Sequence, residues 1–538
     1  MTGRSVWIGP ADRPLAARLW APAGTACETG VLLVPAAGYE YWTSHQTLRA
    51  VAEDLAARGH MALRVDHDGT GDSSGEQTDP DRWSRWCDSV GHGVGALRGL
   101  GARRIVLVGL RLGATIALLT AAEHDVDAVA AVAPITSGRR YAKELTLLSG
   151  EHTPPADLDP GAVYQAGSVF TGELMAALGS VDLTHLERRP APRVLIVPGS
   201  QASAGRLAEH LRALGTEVAQ EQADDLEQAF GRPAEEATVA DSLVAAIGKW
   251  AGLGATTGAT LPQLPARATL KWRGGSVTEE FVRVGRLALA GVLTHACGEA
   301  RATVVLLNSG SEVHVGPGRA WVEYARELAH AGYETLRVDF RGWGDSPDGG
   351  HAPGRPYDLH TWEDTETIVA DLRARGRTAI VLGGLCAGAW VALKSATLID
   401  VDGVIAINPQ MYWQPGDPVE ALMSTTRARR ASEIAYFKAH GAQLERTTEH
   451  PASTWLAQLR DAGAPVLTLF ASRDDGIQFL EDRLPQAWRA ALESGVVRAA
   501  EVDIDHPMHR HWQRHEVVRE MLAFLETSFV RDLATAQA

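Results

Sequence analysis

The sequence is poor in several features that would point to particular functions. It has four cysteines in 538 residues: Cys27, Cys87, Cys297 and Cys386. None stands in a CxxC pair, so neither a zinc knuckle nor a thioredoxin-like redox site is signalled. So few cysteines in so long a chain fit a reducing cytoplasm. No run of about 18 apolar residues occurs, so no transmembrane helix is expected. The start, Met1 to Ser5, leads into no apolar stretch of signal-peptide length, and the expected location is the cytoplasm. Positive charge is in deficit, with 51 Lys and Arg against 66 Asp and Glu, a formal net charge of −15. That argues against a nucleic-acid partner, because phosphate backbones need a basic face. It argues equally against adsorption to an anionic membrane.

What remains is the composition of a globular protein too long for one hydrophobic core. The chain also repeats itself. Gly30 to Pro35 and Thr303 to Asn308 are matching short apolar runs, as expected of buried parallel strands. A helical stretch follows each, over 46–58 and 319–331; in the second, Trp321, Ala325 and Leu328 share one face. Leu63-Arg64-Val65-Asp66 is matched by Leu336-Arg337-Val338-Asp339, and Gly69-Thr70-Gly71-Asp72-Ser73 by Gly342-Trp343-Gly344-Asp345-Ser346. Ile105 to Val108 runs into Gly109-Leu110-Arg111-Leu112-Gly113, and Ile380 to Gly383 into Gly384-Leu385-Cys386-Ala387-Gly388. The copies are offset by 273 residues at the aspartates (66 to 339) and by 275 at the turn (111 to 386). Further strands are expected at Val129 to Ala133 and Val194 to Val197, and at Val404 to Ile407 and Val466 to Phe470. Strands alternating with amphipathic helices imply an α/β fold in each half, a mostly parallel sheet flanked by helices. The expected division is 1–250 for the first domain, a Gly/Thr/Pro-rich linker over 251–266, and 267–538 for the second.

A strand entering G-x-(nucleophile)-x-G and leaving into a helix is a nucleophile elbow. The central residue sits in a strained turn, so its neighbours must be small. The turn places the side chain at a helix N-terminus, where backbone N–H groups favour negative charge. In the second copy that residue is Cys386, and such a setting with an imidazole nearby activates a thiol. The acid is expected after Val466 to Phe470, at Asp474, with Asp475 as the fallback. The histidine is expected after the last strand, at His506. The chain order Cys, Asp, His is the one this fold requires. His506 would take the thiol proton and deliver it to a leaving group, oriented by Asp474. The oxyanion hole is expected at the backbone N–H of Ala387, with a second from Ser309 in the loop Asn308 to Ser311.

The first copy fills none of these roles. Arg111 occupies the elbow, Pro198 to Ser203 holds no carboxylate, and Gln222 to Glu227 stands where a histidine is expected. Arg111 is a candidate contact for an anion such as a carboxylate or phosphate, or else the partner of an internal acid. His511 and His515 have a spacing that can bind metal, but no acidic ligand motif accompanies them, and no metal or cofactor is expected. The Gly-Trp-Gly-Asp and Gly-Thr-Gly-Asp turns lack a P-loop lysine and read as structural. His314 to Arg319 follows the oxyanion loop and either lines the pocket or starts the helix.

On these residues the chain resembles the α/β-hydrolase superfamily over nearly its whole length. The second half is similar to hydrolases of exosortase-A systems in three segments: Gly384-Leu385-Cys386-Ala387-Gly388-Ala389, Val315-Gly316-Pro317-Gly318-Arg319 and Asn408-Pro409-Gln410. The first half resembles their companion hydrolase, including Gly109-Leu110-Arg111-Leu112-Gly113. Those relatives often accompany acyl carrier proteins and acyl-activating ligases, and the resemblance therefore implies acyl-group handling. The fusion of both types in one chain is a departure from the pattern.

The leading expectation is a cysteine-dependent acyl hydrolase or acyltransferase. An ester or thioester, carried on an acyl carrier protein or coenzyme A, would acylate Cys386. The rivals are C–C bond or lactone hydrolysis, and a non-enzymatic scaffold that binds a carrier protein. The first domain is expected to be non-catalytic. The insertion from Met411 to Ala464, with Trp413 and Met423, is expected to form a lid. The acyl group, its acceptor and the oligomeric state are not legible in the sequence.

Overall fold

The computed structural model describes residues 3–149, 154–155, 158–232, 236–310, 312–350, 357–358, 360–412, 451–472 and 474–529. Trp413 and Met423, and with them most of the expected lid, lie outside the described residues. The chain divides into two compact units, Met1–Ser276 and Val277–Ala538.

The first unit is built on an eight-stranded sheet. In spatial order its strands are Arg4–Ile8, Leu15–Trp20, Met61–Val65, Thr29–Val34, Arg104–Leu110, Ala128–Val132, Arg193–Val197 and Glu217–Gln220. The first two strands are antiparallel, and the rest run parallel from Met61–Val65 onward. The central strands are apolar on both faces because helices cover both. Thr256–Thr260 adds a short strand antiparallel to Thr25–Cys27, and Leu261 and Leu264 pack on this unit's core.

The second sheet repeats the plan. Its order is Arg267–Trp272, Gly275–Val284, Leu289–His295, Glu334–Val338, Thr303–Leu306, Ile380–Leu385, Gly403–Ile407, Val466–Ala471 and Val497–Val502. The strands from Glu334–Val338 to Val497–Val502 are parallel. Two mostly parallel sheets with flanking helices are thus present, as the repeat implies. The helix expected over 319–331 spans Ala320–His330, and Trp321, Ala325 and Leu328 are all wholly buried. The one expected over 46–58 begins earlier and spans Tyr39–Ala57. Its first turns are polar in sequence, yet Tyr41, Thr43, Ser44 and His45 are buried.

One buried ionic cluster joins the helix Ala320–His330 to the sheet. Glu279, on Gly275–Val284, accepts from Arg326 Nε and Nη2 at 3.1 and 3.0 Å and from Arg337 Nη2 at 3.2 Å. All three side chains are fully buried. Removing the anion would leave two buried guanidinium groups without their common partner. Glu279→Ala is therefore expected to cost about 3–5 kcal/mol of unfolding free energy, the range for breaking a buried ion pair from one side. Denaturant unfolding followed within residues 277–529 would measure it.

Candidate active site

Both elbows adopt the same rare backbone. Cys386 has φ +54° and ψ −111°, and Arg111 has φ +52° and ψ −117°. Each closes with the same hydrogen bond to the neighbouring strand, Cys386 N to Ile407 O and Arg111 N to Val132 O, both 2.9 Å. Non-glycine residues pay for positive φ, and the surrounding packing holds them there. The flanking glycines show why. A Cβ on Gly388 would sit 2.5 Å from Asn308 O, and one on Gly384 would collide with the backbone of Gly388. The same close approach that demands glycine brings the elbow against the loop after Thr303–Leu306.

Cys386 opens onto the helix Ala387–Ser395, whose first N–H groups have no partner inside the helix. Two of the other cysteines sit where burial disfavours the thiolate. Cys27 is buried and its thiol is pushed up to about 11; burial, with Asp88 and Glu123, pushes Cys87 up to about 12. Cys297 is exposed.

Two of the residues expected around Cys386 meet directly. His506 donates from Nδ1 to Asp474 Oδ2, and the ring lies near enough to Cys386 for the charge of a thiolate there to act on it. Asp474 is buried and caps the helix Asp475–Arg483, accepting from Gly476 N at 2.8 Å. Asp475 is exposed, so Asp474 and not the fallback meets the histidine. Burial opposes a charge on His506, but the sulfur and Asp474 outweigh it and push the imidazole up to about 10. The folded value lies above the ordinary 6.5. The stability linked to this proton is thus fully present below about pH 6.5 and is lost as pH rises through about 10. Histidine-selective NMR should find His506 still protonated at pH 8. In Cys386→Ala the sulfur's charge is gone while the burial remains, so the midpoint should fall; an unchanged midpoint would contradict the pairing.

Three contacts lie outside the sequence reading. Asn408, at the end of Gly403–Ile407 with φ +47°, donates to His506 O at 2.8 Å and accepts from Ala471 N at 2.6 Å. It therefore ties the acid loop to the histidine loop. Arg514 donates to Met508 O, Gly318 O and Pro317 O at 2.8–3.0 Å, which pins the histidine loop to the start of the helix Ala320–His330. His511 pairs with Glu323 at 3.4 Å, and Arg514 reaches the same carboxylate. Tyr357 is the third: its hydroxyl lies 4.0 Å from the Cys386 sulfur. No motif marks it.

The loop expected to form the oxyanion hole is clamped by one carboxylate. Asp339 accepts from Asn308 Nδ2 at 3.1 Å, from His314 N and Nδ1 at 2.7 Å each, and from Asp345 N at 3.0 Å. His314, left open by the sequence, is thus a buried partner of Asp339. Ser309 is buried within this clamped loop, and Ala387 is the first residue of the elbow helix. Ser311 lies outside the described residues.

In the first unit, Arg111 points its guanidinium at internal acids. Nε meets Glu40 at 2.5 Å and Nη2 meets Glu144 at 3.2 Å. A cavity of about 210 Å³ remains beside it, lined in part by Tyr141, Glu144 and Ser200. Of the two carboxylates only Glu144 is half exposed. Ser200, which precedes the helix Gln201–Ala213, stands where the second unit has Asp474.

Among the described residues, no helix is long and apolar enough to cross a membrane. Residues 304–527 match the model of the Alpha/beta hydrolase family, and residues 41–155 match that of Serine aminopeptidase, S33. No curated protein matches the sequence. Several solved structures are similar to part of it. Est1E from Butyrivibrio proteoclasticus, with bound ferulic acid, is 17% identical over 45% of this chain and 97% of its own, with a TM-score of 0.36. An α/β serine hydrolase without lid from Xanthomonas campestris is 16% identical over 47% of this chain and 96% of its own, TM-score 0.31. Dienelactone hydrolase from Anabaena variabilis is 13% identical over 47% of this chain and 98% of its own, TM-score 0.32.

Proposed function

We propose that this chain of two α/β-hydrolase folds is an acyl enzyme whose chemistry is carried by Cys386 in the second fold, with His506 and Asp474. The observation behind it is that His506 bonds Asp474 and feels the charge of the Cys386 sulfur, at an elbow of the required backbone geometry. The sulfur attacks the carbonyl carbon of an ester or thioester, and the S–C bond forms. The negative charge on oxygen is met by the N–H groups of Ala387 and Ser309. The leaving group departs with the proton held on His506, and Cys386 is left acylated. Water or another nucleophile then gives its proton to His506 and takes the acyl group. Asp474 keeps the imidazole oriented throughout.

Cysteine in a site usually built on serine has a chemical consequence. The acyl-enzyme is itself a thioester, more open to attack by an amine or alcohol than an oxygen ester. Hydrolysis and transfer are therefore both within its reach, and a substrate on coenzyme A or an acyl carrier protein matches it in reactivity. The first fold is read as non-catalytic, since arginine has no lone pair for attack at the elbow.

Activity toward a series of acyl-coenzyme A thioesters and p-nitrophenyl esters, with and without iodoacetamide, tests the reading. Loss of turnover in step with labelling of Cys386 alone supports it. Full turnover after Cys386 is labelled would overturn it.

A further inference from the structure

Tyr357 touches the nucleophile from outside the set of residues that the fold prescribes. Its hydroxyl lies 4.0 Å from the Cys386 sulfur and 3.1 Å from Gln410 Oε1. The ring is buried and packs edge-on against Trp390, with centroids 5.3 Å apart. Trp390 stands one turn along the elbow helix, its N–H bonded to Cys386 O at 3.1 Å. One helix therefore carries the nucleophile and braces the tyrosine beside it. Gln410 follows Asn408 and Pro409, in the same turn that ties down the His506 loop.

We propose that Tyr357 is a further catalytic residue of this site, its hydroxyl donating a hydrogen bond to the Cys386 sulfur whenever the sulfur is a thiolate. The inference rests on the reading of Cys386 as nucleophile. A phenol has one proton, and here Gln410 Oε1 and the sulfur are both within its reach. Beside a neutral thiol it donates to Gln410 Oε1. Beside a thiolate the anion is the better acceptor, and the proton turns to sulfur. Burial pushes the Tyr357 phenol well above its ordinary range, so the group keeps its proton and acts as a donor, not as a base.

The thiolate occurs twice in the cycle. At rest it pairs with protonated His506. In deacylation the incoming nucleophile bonds to the acyl carbon, the S–C bond breaks and its electron pair returns to sulfur. At both points Tyr357 donates to the same atom. While the sulfur is acylated it is a poor acceptor, and the hydroxyl returns to Gln410. The tyrosine thus favours acyl departure without contacting the acyl group.

The test is the pH dependence of iodoacetamide labelling at Cys386 in the full chain, read by peptide mass spectrometry. A neutral donor to a partly buried anion moves such an equilibrium by about 10- to 100-fold, or about one to two pH units. In Tyr357→Phe the labelling midpoint should rise by at least about one unit, with kcat/KM below that midpoint falling about tenfold. Installing 3-fluorotyrosine at position 357 keeps the shape and strengthens the donor, so the midpoint should fall. A Phe variant that melts like the parent with an unmoved midpoint would overturn the inference. If that variant does not fold, an unmoved or raised midpoint with fluorotyrosine would do the same. In those cases Cys386 still labels faster than Cys297. If it labels no faster in the parent chain, the nucleophile reading fails and this inference falls with it.

Discussion

Replacing Cys386 by alanine is expected to lower turnover of an acyl thioester by about 10⁴- to 10⁶-fold, the scale on which nucleophile loss is measured in triad enzymes. The size follows from the geometry. The sulfur is the atom whose charge acts on the imidazole, and the Tyr357 hydroxyl lies beside the same atom. What survives is whatever the N–H groups and the pocket do for a water attacking directly. The fold should not suffer, because alanine adopts the same backbone no worse than cysteine and loses only a partly buried sulfur. The matching melting curve separates lost chemistry from lost structure. Residual turnover within about tenfold of the parent would place the reaction elsewhere.

The second large effect is at Asp474. Asp474→Asn keeps the size and the helix cap to Gly476, but an amide cannot hold His506 in the tautomer that accepts the thiol proton. A drop of about 10⁴-fold in kcat is expected, as for the corresponding change in serine triads. The carboxylate also helps to hold the proton on His506, so the imidazole should titrate lower in the variant. Asp475→Asn serves as the control. Asp475 lies next in sequence but points to solvent, and its loss should change kcat less than about twofold. Equal losses in both variants would show that the acid had been assigned to the wrong residue.

Much of this was legible in the sequence because the decisive residues sit at the ends of parallel strands. Such strands are short apolar runs on both faces, and the turns after them carry the chemistry. The elbow, Asp474 and His506 could be placed from strand ends alone, since the glycines at 384 and 388 leave little choice of turn. The outer antiparallel strands, such as Arg4–Ile8 and Leu15–Trp20, were not read. Each is short, and the first mixes buried with exposed positions. The early start of the helix Tyr39–Ala57 was hidden for a similar reason: its buried face is made of tyrosine, threonine, serine and histidine.

Tyr357 was invisible on other grounds. It lies 29 residues before Cys386, and only the folded topology brings the two side chains together. Asn408 and Gln410 appeared as part of a short resemblance, but their work, bridging two loops and accepting from Tyr357, is a matter of side-chain direction. Arg111 was read with two partners open, an anion or an internal acid. The structure supplies two internal acids, Glu40 and Glu144.

The central claim is that an acyl group passes through Cys386. Rapid quenching of the full chain with one equivalent of an acyl thioester, followed by peptide mass spectrometry, tests it most directly. The account predicts the added acyl mass on the peptide that contains Cys386, formed and lost at rates compatible with turnover and absent in Cys386→Ala. Acyl mass on another residue, or steady turnover with no adduct and no loss of activity in Cys386→Ala, would contradict it.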